Sequence, residues 1–366
     1  MRIYPKVIPI VSREVIQKLT ADGDIEVEPM RIADAERRVS FERELNRAAA
    51  VRRHTRQYVD TLLTDVRFGK AIDTQAAKRV VAEMVETITA NPDAALWLTQ
   101  LKQAHDYTAQ HCINVSVLSI AFAAHLGYPQ DQLQIIGLGA LLHDIGKMRV
   151  PPHILDKPAR LTPQEFEVMR RHPVDGYEML KATNAIPAQA LQIVRFHHER
   201  ISGKGYPDGL KGDQLSTIVL ITAICDVYDA LTSDRAYHAG VTADDGLHTM
   251  FLMAPSDFGR SLVQEFIRCV GIYPVGSLVQ LGTGAVGVVM TKDPKYKLRP
   301  VVMLLRDAAG KDYRPRRFVS LASQATLDSR RDWSVARIMD PKKCGIDLAQ
   351  VASDELIGHG HQVLHV

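Results

Sequence analysis

Apolar residues recur at helical spacing through most of this chain and alternate at strand spacing only toward its end. Residues 1–30 are mixed and β-prone, with YPKVIPIV as their most strand-like stretch. Residues 33–65 are charged and helix-forming, and their apolar stripe is sparse: Val39, Phe41, Leu45 and Val51. Such a stripe predicts a partly exposed helix, either a solvated linker or a surface for a partner helix or a second copy of the chain. From Thr74 to about Gly271 helix follows helix. Thr162-Pro163-Gln164-Glu165 has the form of a capping box with proline in the first turn. Gly127 and Gly146 are expected to stop helices. After Tyr273-Pro274 the pattern changes: SLVQLGTGAVGVVM (277–290) and PVVMLLRD (300–307) predict strands joined by glycine turns.

These patterns predict a mainly α protein. A helical domain stands between an N-terminal mixed α/β regulatory region and a small β-rich C-terminal appendix, with boundaries at 1–95, 96–275 and 276–366. A length of 366 residues allows two or three domains. Net charge is only +3, which argues against a nucleic-acid polymer as partner. Four cysteines without a C-x-x-C pair point away from a disulfide scaffold or zinc ribbon. No apolar run reaches the roughly 20 residues of a membrane span, and no signal peptide is evident, so a cytoplasmic location is expected.

The candidate chemistry lies at the ends of the apolar helices. His143 and Asp144 close LQIIGLGALLHDIGK, His172 sits in RRHPVDG, His197 and His198 close LQIVRFHHER, and Asp226 lies in IVLITAICDVYDALTSDRAY. Val115, Leu118 and Phe122 follow His111 at i+4, i+7 and i+11, which turns His111 toward the core. Any one of these histidines reads as a satisfied core or surface residue. Burying all of them without partners would cost several kcal/mol, and a metal cluster supplies the partner. Neutral imidazoles with few carboxylates suit manganese, iron, zinc or nickel better than calcium. His359, His361 and His365 near the C-terminus read as a frayed tail or a separate metal site.

HDIGK, HHE followed by GYP, and DVYDALTSDRAY together resemble the HD-GYP family, metal-dependent phosphodiesterases of the HD superfamily that hydrolyse cyclic di-GMP. The resemblance runs from about Asp106 to about Leu281 and includes YTAQHCINV, LDKPARLTPQEFEVMRRHP and IYPVGSLVQL. The first ~95 residues resemble an uncharacterised domain often placed before HD-GYP domains. The resemblance implies a metal quartet of His111, His143, Asp144 and Asp226. It adds His172, His197 and His198 for a second metal, with Asp144 bridging. Lys147 and Asp229 would stand near the scissile phosphate, Arg235 would bind phosphate, and Gly205, Tyr206 and Pro207 would wall the site, Tyr206 toward substrate. The implied reaction opens cyclic di-GMP to pGpG or GMP by a metal-bridged hydroxide. Iron or manganese is the implied metal, two ions per chain.

Three departures bear on this. Tyr107 stands where some members carry a glutamate for a third metal, so two ions are expected. Ser202 replaces the aspartate of D-G-x-G-Y-P, and His238 stands where a basic residue often follows the DRxY motif. Other readings are a catalytically weak cyclic-dinucleotide sensor, a protein-interaction module with signalling partners, and an HD phosphohydrolase acting on another nucleotide. The 33–65 helix would serve a homodimer.

Overall fold

The computed structural model describes residues 34–100, 107–234, 240–293, 295–327 and 330–355. The β-prone N-terminal stretch, Arg235, His238 and the C-terminal histidines lie outside the described residues, as does the side chain of Tyr107.

The long charged stretch folds as α1 (Asp34–Arg67). Asp73 then caps α2 (Thr74–Ala90) by accepting from the Ala76 amide at 2.9 Å. Asn91 caps α3 (Pro92–Thr99) in the same way, and proline fills its first turn. α4 (Tyr107–His125) ends before Gly127, which takes a φ of 83° as expected of a helix stop. α5 (Gln130–Leu142) gives way to a 3-10 turn, Ile145–Arg149. A short α6 (Pro152–Leu155) leads to α7 (Pro163–Met169), where Thr162 and Glu165 form the anticipated capping box. Then come α8 (His172–Lys181), α9 (Ala188–Phe196), α10 (Thr217–Thr232), α11 (Ala243–Asp257) and α12 (Arg260–Val270). α12 buries Val263, Phe266, Ile267 and Val270, one face at i, i+3, i+4 and i+7. α10 is buried along most of its length, which is why it reads as a continuous apolar run.

The expectation for Gly146 needs correction. α5 already ends at Leu142, and Gly146 lies within the 3-10 turn. What requires glycine there is space: a Cβ would stand 2.0 Å from the His172 carbonyl oxygen and 2.5 Å from the Gly176 amide nitrogen. The turn after α5 is thereby pressed against the start of α8, and two histidine-bearing elements meet.

The C-terminal part is an antiparallel sheet of β1 (Leu278–Leu281), β2 (Val286–Thr291), β3 (Val301–Arg306), β4 (Asp312–Ser320) and β5 (Val335–Met339), in the order β4-β3-β2-β1-β5. Two short helices, α13 (Leu321–Leu327) and α14 (Leu348–Glu355), complete the described chain. The sequence reading anticipated β1 to β3 but neither β4 nor β5. Those two are the sheet edges, where arginines and Pro315 are tolerated and alternation is weak.

One apolar cluster joins α1 and α2 (Val59, Leu62, Val80, Val81, Met84) to the histidine-bearing helices (Ile113, Leu118, Leu142, Ile193, Ile224). A second packs Phe41, Leu45 and Ala48 of α1 with Trp97 and Leu98 of α3 against Leu278, Val288, Met290 and Met303 of the sheet. α1 therefore touches both the helical core and the sheet. All four cysteines are free thiols. Among the described residues, no helix is long and apolar enough to cross a membrane.

Candidate metal centre

The end of a helix leaves its last carbonyls without partners, and here histidine rings use them. His143 caps α5 and its Nδ1–H donates to the Ala140 carbonyl at 2.7 Å. His197 caps α9 and donates likewise to Val194 at 2.9 Å. His172, the first residue of α8, donates to the carbonyl of Met169, the last of α7, at 2.8 Å. Each bond places the ring proton on Nδ1 and leaves the Nε2 lone pair facing inward. His111 is oriented by a carboxylate instead: its Nδ1 lies 2.8 Å from Asp229 Oδ2.

Asp144 stands between the rings. Its Oδ2 lies 3.3 Å from His143 Nε2 and 3.7 Å from His111 Nε2, while its Oδ1 lies 3.2 Å from His172 Nε2 and 3.9 Å from His197 Nε2. One carboxylate thus faces two separate groups of imidazoles. Asp226 closes the first group, with Oδ1 3.0 Å from His111 Nε2, and reaches His198 Nδ1 at 3.8 Å with Oδ2. His111, His143 and Asp144 form one set of convergent donor atoms, and His172, His197 and His198 form another, each within 4.8 Å.

The donors fit divalent cations. His143 Nε2 and Asp144 Oδ1 are buried without a hydrogen-bond partner. His172 Nε2 and His197 Nε2 stand 3.3 Å apart, lone pair toward lone pair. Buried acceptors aimed at one another are costly unless a cation lies among them. Charges follow the same logic. Burial would raise the Asp144 carboxyl, but the neighbouring imidazoles, His143 first, and the Lys147 ammonium hold it well below the usual carboxylate range. Asp226 is likewise held low against burial, by its hydrogen bond to His111 and nearby imidazoles. Burial pushes His197 and His198 well below 6.5, and neighbouring imidazoles push the same way. Burial also opposes protonation of His111, but hydrogen bonds to Asp226 and Asp229 outweigh it and raise its pKa to about 9.

Lys147 donates to Asp144 Oδ2 at 2.5 Å and keeps a fifth of its side chain exposed. The Tyr206 ring packs on His198 with centroids 4.7 Å apart, and the Arg170 guanidinium lies 4.9 Å from the Tyr206 ring centroid. The loop carrying Tyr206 is held from beneath. Buried Glu199 accepts from the amides of Asp208 at 2.7 Å, Gly209 at 2.9 Å and Leu210 at 3.2 Å. Gly205 crosses this carboxylate's own backbone so closely that a Cβ would stand 2.4 Å from Glu199 Cα. Ser202, at the variant loop position, pairs with Lys211 in an isolated bridge, and its hydroxyl is buried without a partner.

The structure thus brings together His111, His143, Asp144, His172, His197, His198, Asp226, Lys147 and Tyr206. Asp229 is engaged by protein groups on both oxygens. Its Oδ2 meets His111 and its Oδ1 accepts from Asn114 at 2.9 Å, so it lies behind the His111 ring and orients it. Sequence reading assigned no role to Asn114, Arg52, Glu199 or Arg170. Asn114 had a signal, one helical turn after His111 on the same face. Glu199 directly follows the histidine pair. Arg52 and Arg170 had none, because their partners are set by packing.

Residues 83–262 match the family described as HD domain, and residues 278–328 match the KOW domain associated with HD domain. The chain is 39% identical over 291 residues to cyclic di-GMP phosphodiesterase PA4108 of Pseudomonas aeruginosa, covering 80% of this chain and 70% of that protein. It is 37% identical over 177 residues to the cyclic di-GMP phosphodiesterase response regulator RpfG of Xanthomonas campestris, covering 47% of each. Among solved structures, Bd1817, an HDG"Y"P protein of Bdellovibrio bacteriovorus, shares the fold with a TM-score of 0.52 at 21% identity, over 69% of this chain and 77% of that one.

Proposed function

The chain belongs to the HD-GYP family of HD-domain phosphodiesterases, and we propose from that premise that its histidine–aspartate cluster hydrolyses cyclic di-GMP to pGpG or GMP. The observation that carries this reading is Asp144, whose two oxygens face two separate groups of imidazoles. That arrangement suits two divalent ions; iron or manganese, with zinc or nickel as alternatives, is what the family resemblance implies. His111, His143, Asp144 and Asp226 would hold one, and His172, His197, His198 and Asp144 the other. Bound ions supply Lewis acidity, lowering the pKa of water and drawing off charge from a phosphodiester.

The chain's own residues do the rest. Backbone carbonyls and Asp229 keep protons on Nδ1, so that ligation needs no tautomer change. Lys147, partly exposed beside Asp144, offers an ammonium donor to a non-bridging phosphate oxygen. Tyr206, stacked on His198 and covered by Arg170, walls one side and limits water. Arg235 is read as a second phosphate contact. The segment through residue 95 is read as the regulatory and interaction part, 96–275 as the catalytic part and 276–366 as a C-terminal extension. α1 is the place for a homodimer contact or a signalling partner.

The test is product analysis with manganese-loaded and anaerobically iron-loaded protein, with Asp144→Ala as control. Conversion to pGpG or GMP that falls to background in the control is expected. Two bound ions per chain with no product from either metal would overturn the reading.

A further inference from the structure

Asp229 fixes His111, and something must in turn fix Asp229. Its second oxygen accepts from Asn114 Nδ2 at 2.9 Å. An asparagine amide has two ends, and turned over it would set its own oxygen against the carboxylate. What holds it the right way lies on another element. Arg52 of α1 donates through Nη2 to Asn114 Oδ1 at 2.9 Å, and Gln110 Nε2 lies 3.3 Å from the same oxygen. Arg52 is 62 residues from Asn114, so this contact exists only because α1 packs across α4.

We infer that Arg52 is a positioning residue for the metal centre, acting through Asn114 and Asp229 on His111. The directions of the bonds form one consistent chain. The guanidinium can only donate, so Asn114 Oδ1 must accept, and its NH2 must face Asp229. Asp229 Oδ2 is then left to accept from His111 Nδ1–H, and His111 Nε2 is aimed at Asp226 and Asp144, where it can take a cation once its own proton leaves. Every member except Arg52 is fully buried: His111, Asn114 and Asp229 are each 2% exposed or less. An unpaired or reversed group therefore cannot be rescued by bulk water.

The placement on α1 gives the relay a further consequence. Upstream of Arg52 the same helix buries Phe41, Leu45, Ala48 and Ala49 against the sheet, and downstream it buries Val59 and Leu62 in the helical core. A shift of α1, driven from the sheet or from whatever precedes the helix, would move Arg52 and loosen His111. α1 is thus a mechanical connection between the C-terminal extension and one half of the metal centre.

The inference rests on the metal-centre reading above, and its test does not need turnover. Metal affinity is measured by chelator competition for wild type, Arg52→Met, Arg52→Lys and Asn114→Ser, with metal content and melting temperature of each. Arg52→Met is expected to weaken one of two ions by roughly 10–100-fold, the effect typical of removing an outer hydrogen-bond partner of a ligand. The other ion should be unaffected. Arg52→Lys, which keeps a donor, should recover part of the loss, and Asn114→Ser should match Arg52→Met without adding to it in the double variant. If Arg52→Met does not fold, Asn114→Ser and Arg52→Lys carry the same comparison. Unchanged affinity for both ions in folded Arg52→Met, or additive losses in the double variant, would overturn the inference. Absence of metal from wild type would instead overturn the proposed function.

Discussion

At the scale of single residues, the centre depends on where protons sit. His111, with a pKa raised to about 9, is charged at neutral pH in metal-free protein and must lose its proton to present Nε2 to a cation. Metal loading at pH 7 is therefore expected to release about one proton from His111. Calorimetry in buffers of different ionisation enthalpy would read this as a buffer-dependent heat; heats independent of buffer would contradict it. Glu199 poses a different test. Its carboxylate gathers three backbone amides of the Tyr206 loop. Hydrogen bonds to a charged group contribute about 1.5–3 kcal/mol, so Glu199→Gln should cost on the order of 2 kcal/mol in denaturant unfolding. It should also reduce activity, because the wall formed by Tyr206 moves. Gly205→Ala should reduce activity at least as much, since the added Cβ meets backbone.

At the scale of elements, His143, His172 and His197 stand at helix ends while His111 and Asp226 lie within helices, and the pH dependence divides between the buried histidines of the two kinds. His197 and His198 sit at the end of α9, held neutral by burial and by neighbouring imidazoles. Below about pH 6.5 the unfolded chain takes up protons that the folded one refuses, so stability falls as pH falls. His111 behaves oppositely: its raised pKa contributes stability that is fully present below about 6.5 and is lost as pH rises through about 9. Metal-free protein should thus be most stable near the lower of these limits and lose stability from there toward about pH 9. Loading with metal should lift the melting temperature and move the acid limb downward, because protons then compete with the ion. Melting curves from pH 5 to 10, with and without manganese, would check both limbs. A metal-free protein whose stability rises on acidification from pH 7 to 5 would contradict the assignment. The helix-end placement of His143 and His197 was legible in sequence, because each closes an apolar run. The function of Gly146 was not, because a glycine that admits a carbonyl from another helix looks the same in sequence as one that stops its own.

For the whole molecule, the sheet and the helices are not separable pieces. Phe41, Leu45, Trp97 and Leu98 are buried against sheet residues. At about 1.5–3 kcal/mol for each large apolar side chain, truncation after Gly276 should cost roughly 5 kcal/mol or more. The truncated protein is expected to be poorly soluble or to expose apolar surface to a fluorescent dye. A truncated form as stable as the full chain would show that α1 does not need the sheet. Only packing revealed this dependence, since the boundary near residue 275 is sharp in sequence pattern and absent from the apolar clusters.

The amino-acid sequence by itself determined the helical class, the β-rich end, and the kinds and order of residues that could ligate a metal. Each of these depends on neighbours within a turn or two of helix or strand, and periodicity records such neighbours. Tertiary structure alone decided that the two oxygens of Asp144 face different imidazole groups. It alone set Asp229 behind His111 and brought Arg52 to Asn114. The last two of those relations join residues 118 and 62 positions apart, and distances of that kind are fixed by how helices pack.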